Sequence, residues 1–185
     1  MAERMSVTQA LDERDLLVKQ INDKMAYTSF VEVIGCEESI LPGQQISRTE
    51  YAGRAESAYR RIIELMERYH RIHAAIMTSN SGTWIETSFG RFTVAVALSL
   101  RSRLQGTGTY EYDSDFEGNL CRKLRKEYEE KLKLAKSSTP EGGMELLDPL
   151  KAQERAELLE ERKDMLIREL DTQIKVSNAV TLIEL

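Results

Sequence analysis

The sequence predicts a mainly α fold: long antiparallel helices with coiled-coil-like packing, in two pseudo-repeated modules with short β-hairpin elements at their junctions. Three observations carry that expectation. Apolar residues recur at steps of three and four through most of the chain, the period of a helix with one buried face. One such row, Tyr51 to Ile76, persists long enough for a coiled-coil seam. Two short motifs each occur twice, in an order that joins the start of the chain to its end.

Composition narrows the classes. The 185 residues suit one domain or two small ones. Ten glycines and three prolines are too few for a disordered chain or a turn-rich β-sandwich. The 26 basic and 31 acidic residues leave a net charge of −5, which speaks against general nucleic-acid binding. No apolar run reaches the roughly 18 residues of a membrane span, and no charged-then-apolar leader follows Met1. The expectation is therefore no membrane partner and a cytoplasmic location, the host cytoplasm if the protein is phage-encoded. The two cysteines, Cys36 and Cys121, form no framework, which suits a reducing compartment.

The elements follow in order. Ser6-Val7-Thr8-Gln9 is a capping box, and Val7, Ala10, Leu11, Arg14, Leu17, Val18 and Ile21 continue at helical spacing to about Ala26. Phe30-Val31-Glu32-Val33-Ile34, then Pro42-Gly43, suggest a small hairpin within residues 27–47. Tyr51, Ala55, Ala58, Ile62, Leu65, Tyr69, Ile72 and Ile76 form the a/d row of a helix about 45 Å long at 1.5 Å per residue, which must pack along another long helix. Ser79-Asn80-Ser81-Gly82 should end it. Thr83 to Thr87 reads as extended, Ser88-Phe89-Gly90 as a turn, and Thr93 caps a helix to about Leu104 that Gly106-Thr107-Gly108-Thr109 breaks. Ser114 or Asp115 caps a fourth helix with the stripe Phe116, Leu120, Leu124, Tyr128 and Leu132. After a turn-rich linker from Ser137 to Gly143, Asp148-Pro149 supplies a cap and a first-turn proline for a last helix to about Val176.

The repeat is the sharpest signal. Arg4-Met5-Ser6-Val7, Ala10-Leu11, Arg14 and Leu17 reappear 87 positions later as Arg91-Phe92-Thr93-Val94, Ala97-Leu98, Arg101 and Leu104. Ile76, Ser79-Asn80, Thr83 and Ile85-Glu86 reappear 98 positions later as Ile174, Ser177-Asn178, Thr181 and Ile183-Glu184. In mid-chain the second motif runs into the first through a turn. The remaining copies lie at the two termini, so residues 181–185 should lie beside residues 3–7 as 83–87 lie beside 90–94. The modules are then 1–86 and 87–185, together one pseudo-symmetric domain.

Ser79, Asn80, Thr83, Gly90, Thr93, Ala97, Leu98 and Arg101 give residues 50–105 a further feature. A long helix ending in Ser/Thr-Asn-x-x-Thr, a short turn and Thr-Val-x-x-Ala-Leu-x-x-Arg resembles the septicolysin-like group of helical proteins from bacteria and phages. The resemblance implies a helical fold and carries no activity.

Candidate sites divide into two sets. Ser79-Asn80 and Ser177-Asn178 lie where long helices end, as left-handed caps or as a twice-repeated polar pocket charged by Arg14 or Arg101. Residues 84–116 hold Trp84, Phe89, Phe92, Tyr110, Tyr112 and Phe116 among Arg91, Arg101 and Arg103, with Arg122, Lys123, Arg125 and Lys126 following. Rings that stack on a base beside guanidinium groups that grip phosphate suit a nucleotide-like ligand; filling of the junction between modules is the plainer explanation. Gly106 to Thr109 lacks the lysine and preceding strand of a phosphate loop. His70 and His73 beside Glu67 lack a third ligand, so no metal and no cofactor is expected.

No acid, base and nucleophile converge, which disfavours an enzyme. Two expectations remain. One is a non-enzymatic homo-oligomeric binding protein for a small anionic or nucleotide-like ligand, such as a phage anti-defence sequestering protein, using Arg91, Arg101, Arg103, Trp84, Tyr112, Asn80, Arg14 and Asn178. The other is a structural or assembly protein, a phage morphogenesis chaperone or antitoxin-like partner, acting through helix–helix contacts.

Overall fold

The computed structural model describes residues 3–36, 39–41, 45–106, 115–137 and 144–185. It is mainly helical, with short antiparallel strand pairs. In chain order the elements are β1 (Arg4–Ser6), α1 (Val7–Tyr27), α2 (Arg48–Gly82), β2 (Trp84–Thr87), β3 (Gly90–Thr93), α3 (Val94–Gln105), α4 (Phe116–Ser137), α5 (Ala152–Val180) and β4 (Leu182–Glu184). The chain divides into two compact units, Met1–Ser79 with Asn178–Leu185, and Asn80–Ser177. A cut at 86/87 falls instead within the β2–β3 hairpin.

In the first unit α1 packs on α2. Ser6 caps α1 through the expected box: its hydroxyl accepts from the Gln9 amide at 3.2 Å, and the Gln9 side chain accepts from the Ser6 amide at 2.9 Å. Val7, Ala10, Leu17 and Ile21 then face Ile62, Leu65, Ile72 and Ile76 in one buried cluster. Val18 does not join it and is exposed, because α1 buries a narrower stripe than its apolar content allows. Arg68 of α2 reinforces the contact, donating to both Glu13 oxygens at 2.8 and 3.1 Å and to Glu3 at 2.7 Å. The Glu13 and Glu3 carboxylates raise the pKa of Arg68, and Arg68 holds the Glu3 carboxyl below its usual value.

The ends of the chain meet here. β1 pairs antiparallel with β4, placing Arg4 opposite Glu184, Met5 opposite Ile183 and Ser6 opposite Leu182. The Val7 amide adds a bond to the Thr181 carbonyl at 3.0 Å.

In the second unit β2 and β3 form a hairpin with Ile85 opposite Phe92 and Glu86 opposite Arg91, and the Val94 amide bonds the Thr83 carbonyl at 2.9 Å. Thr93 caps α3 by accepting from the Val96 amide at 3.3 Å, and Gly106 ends it with φ 63, the left-handed conformation glycine adopts without a Cβ penalty. Ile85, Val94, Ala97 and Leu104 bury against Leu170 and Ile174 of α5. Asp115 caps α4, as its carboxylate accepts from the Gly118 amide at 3.1 Å.

Four local expectations are corrected. Among the described residues the hairpin expected in 27–47 is a single bridge between Ile40 and Ser47, and Val31 and Val33 are exposed, because no neighbouring strand pairs with them. The last helix opens at Ala152 rather than Pro149: Lys151 has φ 53, which interrupts the helix, and Asp148 reaches past it to accept from the Ala152 amide at 3.0 Å. Phe116 and Leu120 are exposed, and α4 turns Cys121 inward with its Sγ donating to the Ala156 carbonyl at 3.4 Å. Asn80 and Asn178 do not form left-handed caps, since α2 and α5 run on to Gly82 and Val180 and neither asparagine has positive φ.

Candidate functional site

The β2–β3 turn, α3, α4 and α5 enclose a cleft of about 430 Å³ in the second unit. Its apolar wall comes from Phe89, Phe92, Leu104, Leu159 and Leu166. Local bonding explains why Phe89 is held over it. The amide and hydroxyl of Ser88 both donate to Glu169 of α5 at 2.7 Å, which fastens the turn to the helix and lowers the Glu169 pKa. The Thr87 hydroxyl accepts from the Phe89 amide at 3.2 Å and donates to the Gly90 carbonyl at 3.0 Å, and Gly90 takes φ 138, which only glycine adopts without strain.

The polar wall is built from three charged side chains, Glu117, Arg162 and Lys163. Two of them are committed. Both nitrogens at the end of Arg103 donate to Glu117, at 2.8 and 3.0 Å, a bidentate pair that lowers the Glu117 pKa and raises that of Arg103. Lys163 donates to both oxygens of Asp115 at 2.7 Å. Asp115 is only 7% exposed. Burial pushes its carboxyl up, but Lys163 and the Gly118 amide outweigh that and hold it below its usual value. Arg162 differs: its guanidinium lies over the Phe89 ring at 5.3 Å, a cation–π contact at the exposed edge of the cleft. Glu117 and Asp115 are each matched by a cation and Glu169 is held by Ser88, while Arg162 enters none of the described ion pairs.

The residues expected from sequence are not gathered in one place. Arg103 stands behind the cleft wall through Glu117. Arg101 bonds Asp171 at 2.9 Å and faces that carboxylate rather than an open pocket. Arg91 lies over the Trp84 ring at 5.0 Å with Glu86 3.9 Å away, an exposed cross-strand cluster on the hairpin. Asn80 is buried in the last turns of α2. Arg14, in the first unit, pairs with Asp15 at 2.8 Å, and Asn178 is half-buried near the end of α5. Tyr112, Tyr110 and the Thr107–Thr109 stretch lie outside the described residues. His73 stacks on Tyr69, with ring centroids 5.8 Å apart, and among the described residues no group of three metal-ligating side chains converges.

Sequence reasoning missed Arg162, Lys163 and Asp115 as site residues. Their signal was present. Leu159, Arg162, Lys163 and Leu166 share one face of α5 at steps of three, one and three, an apolar row with two cations set into it. Comparison with known proteins finds no family model, no curated protein and no solved structure that matches this chain.

Proposed function

We propose that the chain is a non-enzymatic binding protein that holds a small anion bearing a flat apolar group in the Phe89–Arg162 cleft. The single observation that carries the reading is the Arg162 guanidinium placed over Phe89 at the mouth of an apolar cleft. A ring entering between Phe89 and Leu166 loses water, while an acid group on the same molecule meets the one cation there that lacks a carboxylate among the described ion pairs. Asp115 and Glu117 are occupied by Lys163 and Arg103, which leaves Arg162 as the charged group of the lining that faces a ligand.

One guanidinium outside the described ion pairs suits a singly charged ligand better than a nucleoside polyphosphate, whose further charges would need Arg103 free of Glu117. A nucleotide-like monoanion remains within the class. Binding without conversion is the behaviour of a sequestering protein, such as a phage product that withholds a host signal.

The two strand ladders support reading the chain as one module used twice. Met5 opposite Ile183 matches Phe92 opposite Ile85, and Arg4 opposite Glu184 matches Arg91 opposite Glu86. Ser6 and Thr93 occupy the same capping position with φ of −70 in both.

Calorimetric titration with 2-naphthoate tests the ligand reading. Wild type should bind one equivalent. Arg162→Gln should weaken binding about tenfold or more, the loss of one charge-assisted contact, whereas Arg101→Gln should leave it within twofold. Equal binding by wild type and Arg162→Gln, or no binding by wild type, would refute it.

A further inference from the structure

Glu169 lies outside the lining of the Phe89–Arg162 cleft, yet the turn that carries Phe89 is fastened to it. The Ser88 amide donates to one of its carboxylate oxygens and the Ser88 hydroxyl to the other, both at 2.7 Å. Glu169 enters no ion pair among the described residues, and Ser88 is the group that engages it. The strands themselves do not need this contact. Their ladder sets Ile85 opposite Phe92, and Ile85 is buried with Val94, Leu170 and Ile174, a cluster that includes neither Ser88 nor Phe89. What the two bonds fix is the tip of the turn.

Along α5, Arg162, Leu166 and Glu169 follow at steps of four and three and so share one face of the helix. The turn lies across that face, with Ser88 on Glu169 and the Phe89 ring beneath the Arg162 guanidinium at 5.3 Å. We propose that Glu169 is a positioning residue for the anion site. Through Ser88 it holds Phe89 as the apolar wall, and through the Phe89 ring it holds Arg162 at the mouth. This rests on the reading of the cleft as a site for an aromatic anion. The sign of the effect separates positioning from charge. A carboxylate near an anion site opposes binding, so by charge alone its removal should tighten binding. Positioning predicts the reverse, because a ligand that must reorder a released turn binds more weakly by the cost of that ordering.

Calorimetric titration of 2-naphthoate into wild type and three variants is the test. Glu169→Ala should bind about fivefold more weakly or worse. Glu169→Gln also lacks the charge, but it keeps an oxygen for the Ser88 amide and an amide group that can donate to the Ser88 hydroxyl. It should bind within about twofold of wild type, or more tightly. Ser88→Ala keeps the charge, loses only the hydroxyl bond and should bind about twofold more weakly or worse. Thermal midpoints identify a variant that does not fold, and Ser88→Ala carries the test if Glu169→Ala is one. In ligand-free protein carrying 4-fluorophenylalanine at Phe89, Glu169→Ala should move the fluorine resonance toward its position in urea, and Glu169→Gln should not. Binding by Glu169→Ala as tight as wild type, Glu169→Gln no better than Glu169→Ala, or an unmoved fluorine resonance would overturn the proposal and leave the cleft reading standing. Absence of binding by wild type would refute the cleft reading itself, and this inference with it.

Discussion

Lys163 of α5 grips both carboxylate oxygens of Asp115 at 2.7 Å, and the same carboxylate caps α4 through the Gly118 amide. Asp115 thus joins the start of α4 to the middle of α5 and anchors Lys163 of the polar wall. The arrangement depends on Gly118, because a Cβ there would lie 2.1 Å from Asp115 Oδ2.

Replacing Gly118 should therefore damage the cap, the ion pair and the packing at once. Gly118→Ala should lower the free energy of unfolding by about 2–3 kcal/mol, the range for a strained substitution that also breaks a polar network. Urea unfolding followed by circular dichroism reads it. A change below 0.5 kcal/mol would mean that Asp115 relocates freely.

Acid should weaken the second unit. Asp115 and Glu117 have pKa values below those of an unfolded chain, so the folded form binds fewer protons. Their contribution is complete above the unfolded carboxylate range and is lost as pH falls through the folded values. Thermal midpoints should drop below roughly pH 4.3. Glu117→Gln should lower the midpoint at pH 7 and flatten the decline, because only a carboxylate releases a proton there. An acid decline as steep as wild type would assign the effect to other carboxylates.

How much of this was legible in the sequence depends on whether the signal was local. Ser6 with Gln9, and Thr93 before its helix, reveal themselves because capping is read within three residues. The meeting of Met5 with Ile183 was legible only because the same motifs occur in mid-chain, where Phe92 and Ile85 are joined by a turn. Arg101 and Arg103 were misleading for the opposite reason. Their partners, Asp171 and Glu117, lie 70 and 14 positions away, so no spacing rule announces that the guanidinium groups are engaged. Arg162 lies in a densely charged stretch of α5, and its contact with Phe89 depends on the β2–β3 turn more than 70 positions earlier. The expected strand at Phe30–Ile34 failed for want of a partner, which β-branched composition cannot supply.

The terminal strand pair should be essential to the first unit. Ile183 is buried among Met5, Val7 and Ile76. Ile183→Ala should cost about 2–4 kcal/mol, as for other large-to-small changes in a packed core. Hydrogen exchange should show the loss at the Val7 amide and through α1. Unchanged protection there would separate β4 from the core of that unit.

The two thiols should differ in reactivity. Cys36 is exposed, whereas Cys121 is buried and burial pushes its thiol pKa up. A thiol-titrating disulfide reagent should modify one equivalent quickly in native protein and two in urea. Rapid modification of both in the native state would place Cys121 at the surface.

The claim on which the functional reading stands is that the Phe89–Arg162 cleft takes an aromatic anion. Intermolecular nuclear Overhauser contacts between 2-naphthoate and the protein test it most directly. The account predicts contacts from the naphthalene ring protons to the rings of Phe89 and Phe92 and to the methyls of Leu166. Contacts confined to Met25 and Tyr59 in the first unit, or none at saturating 2-naphthoate, would contradict it.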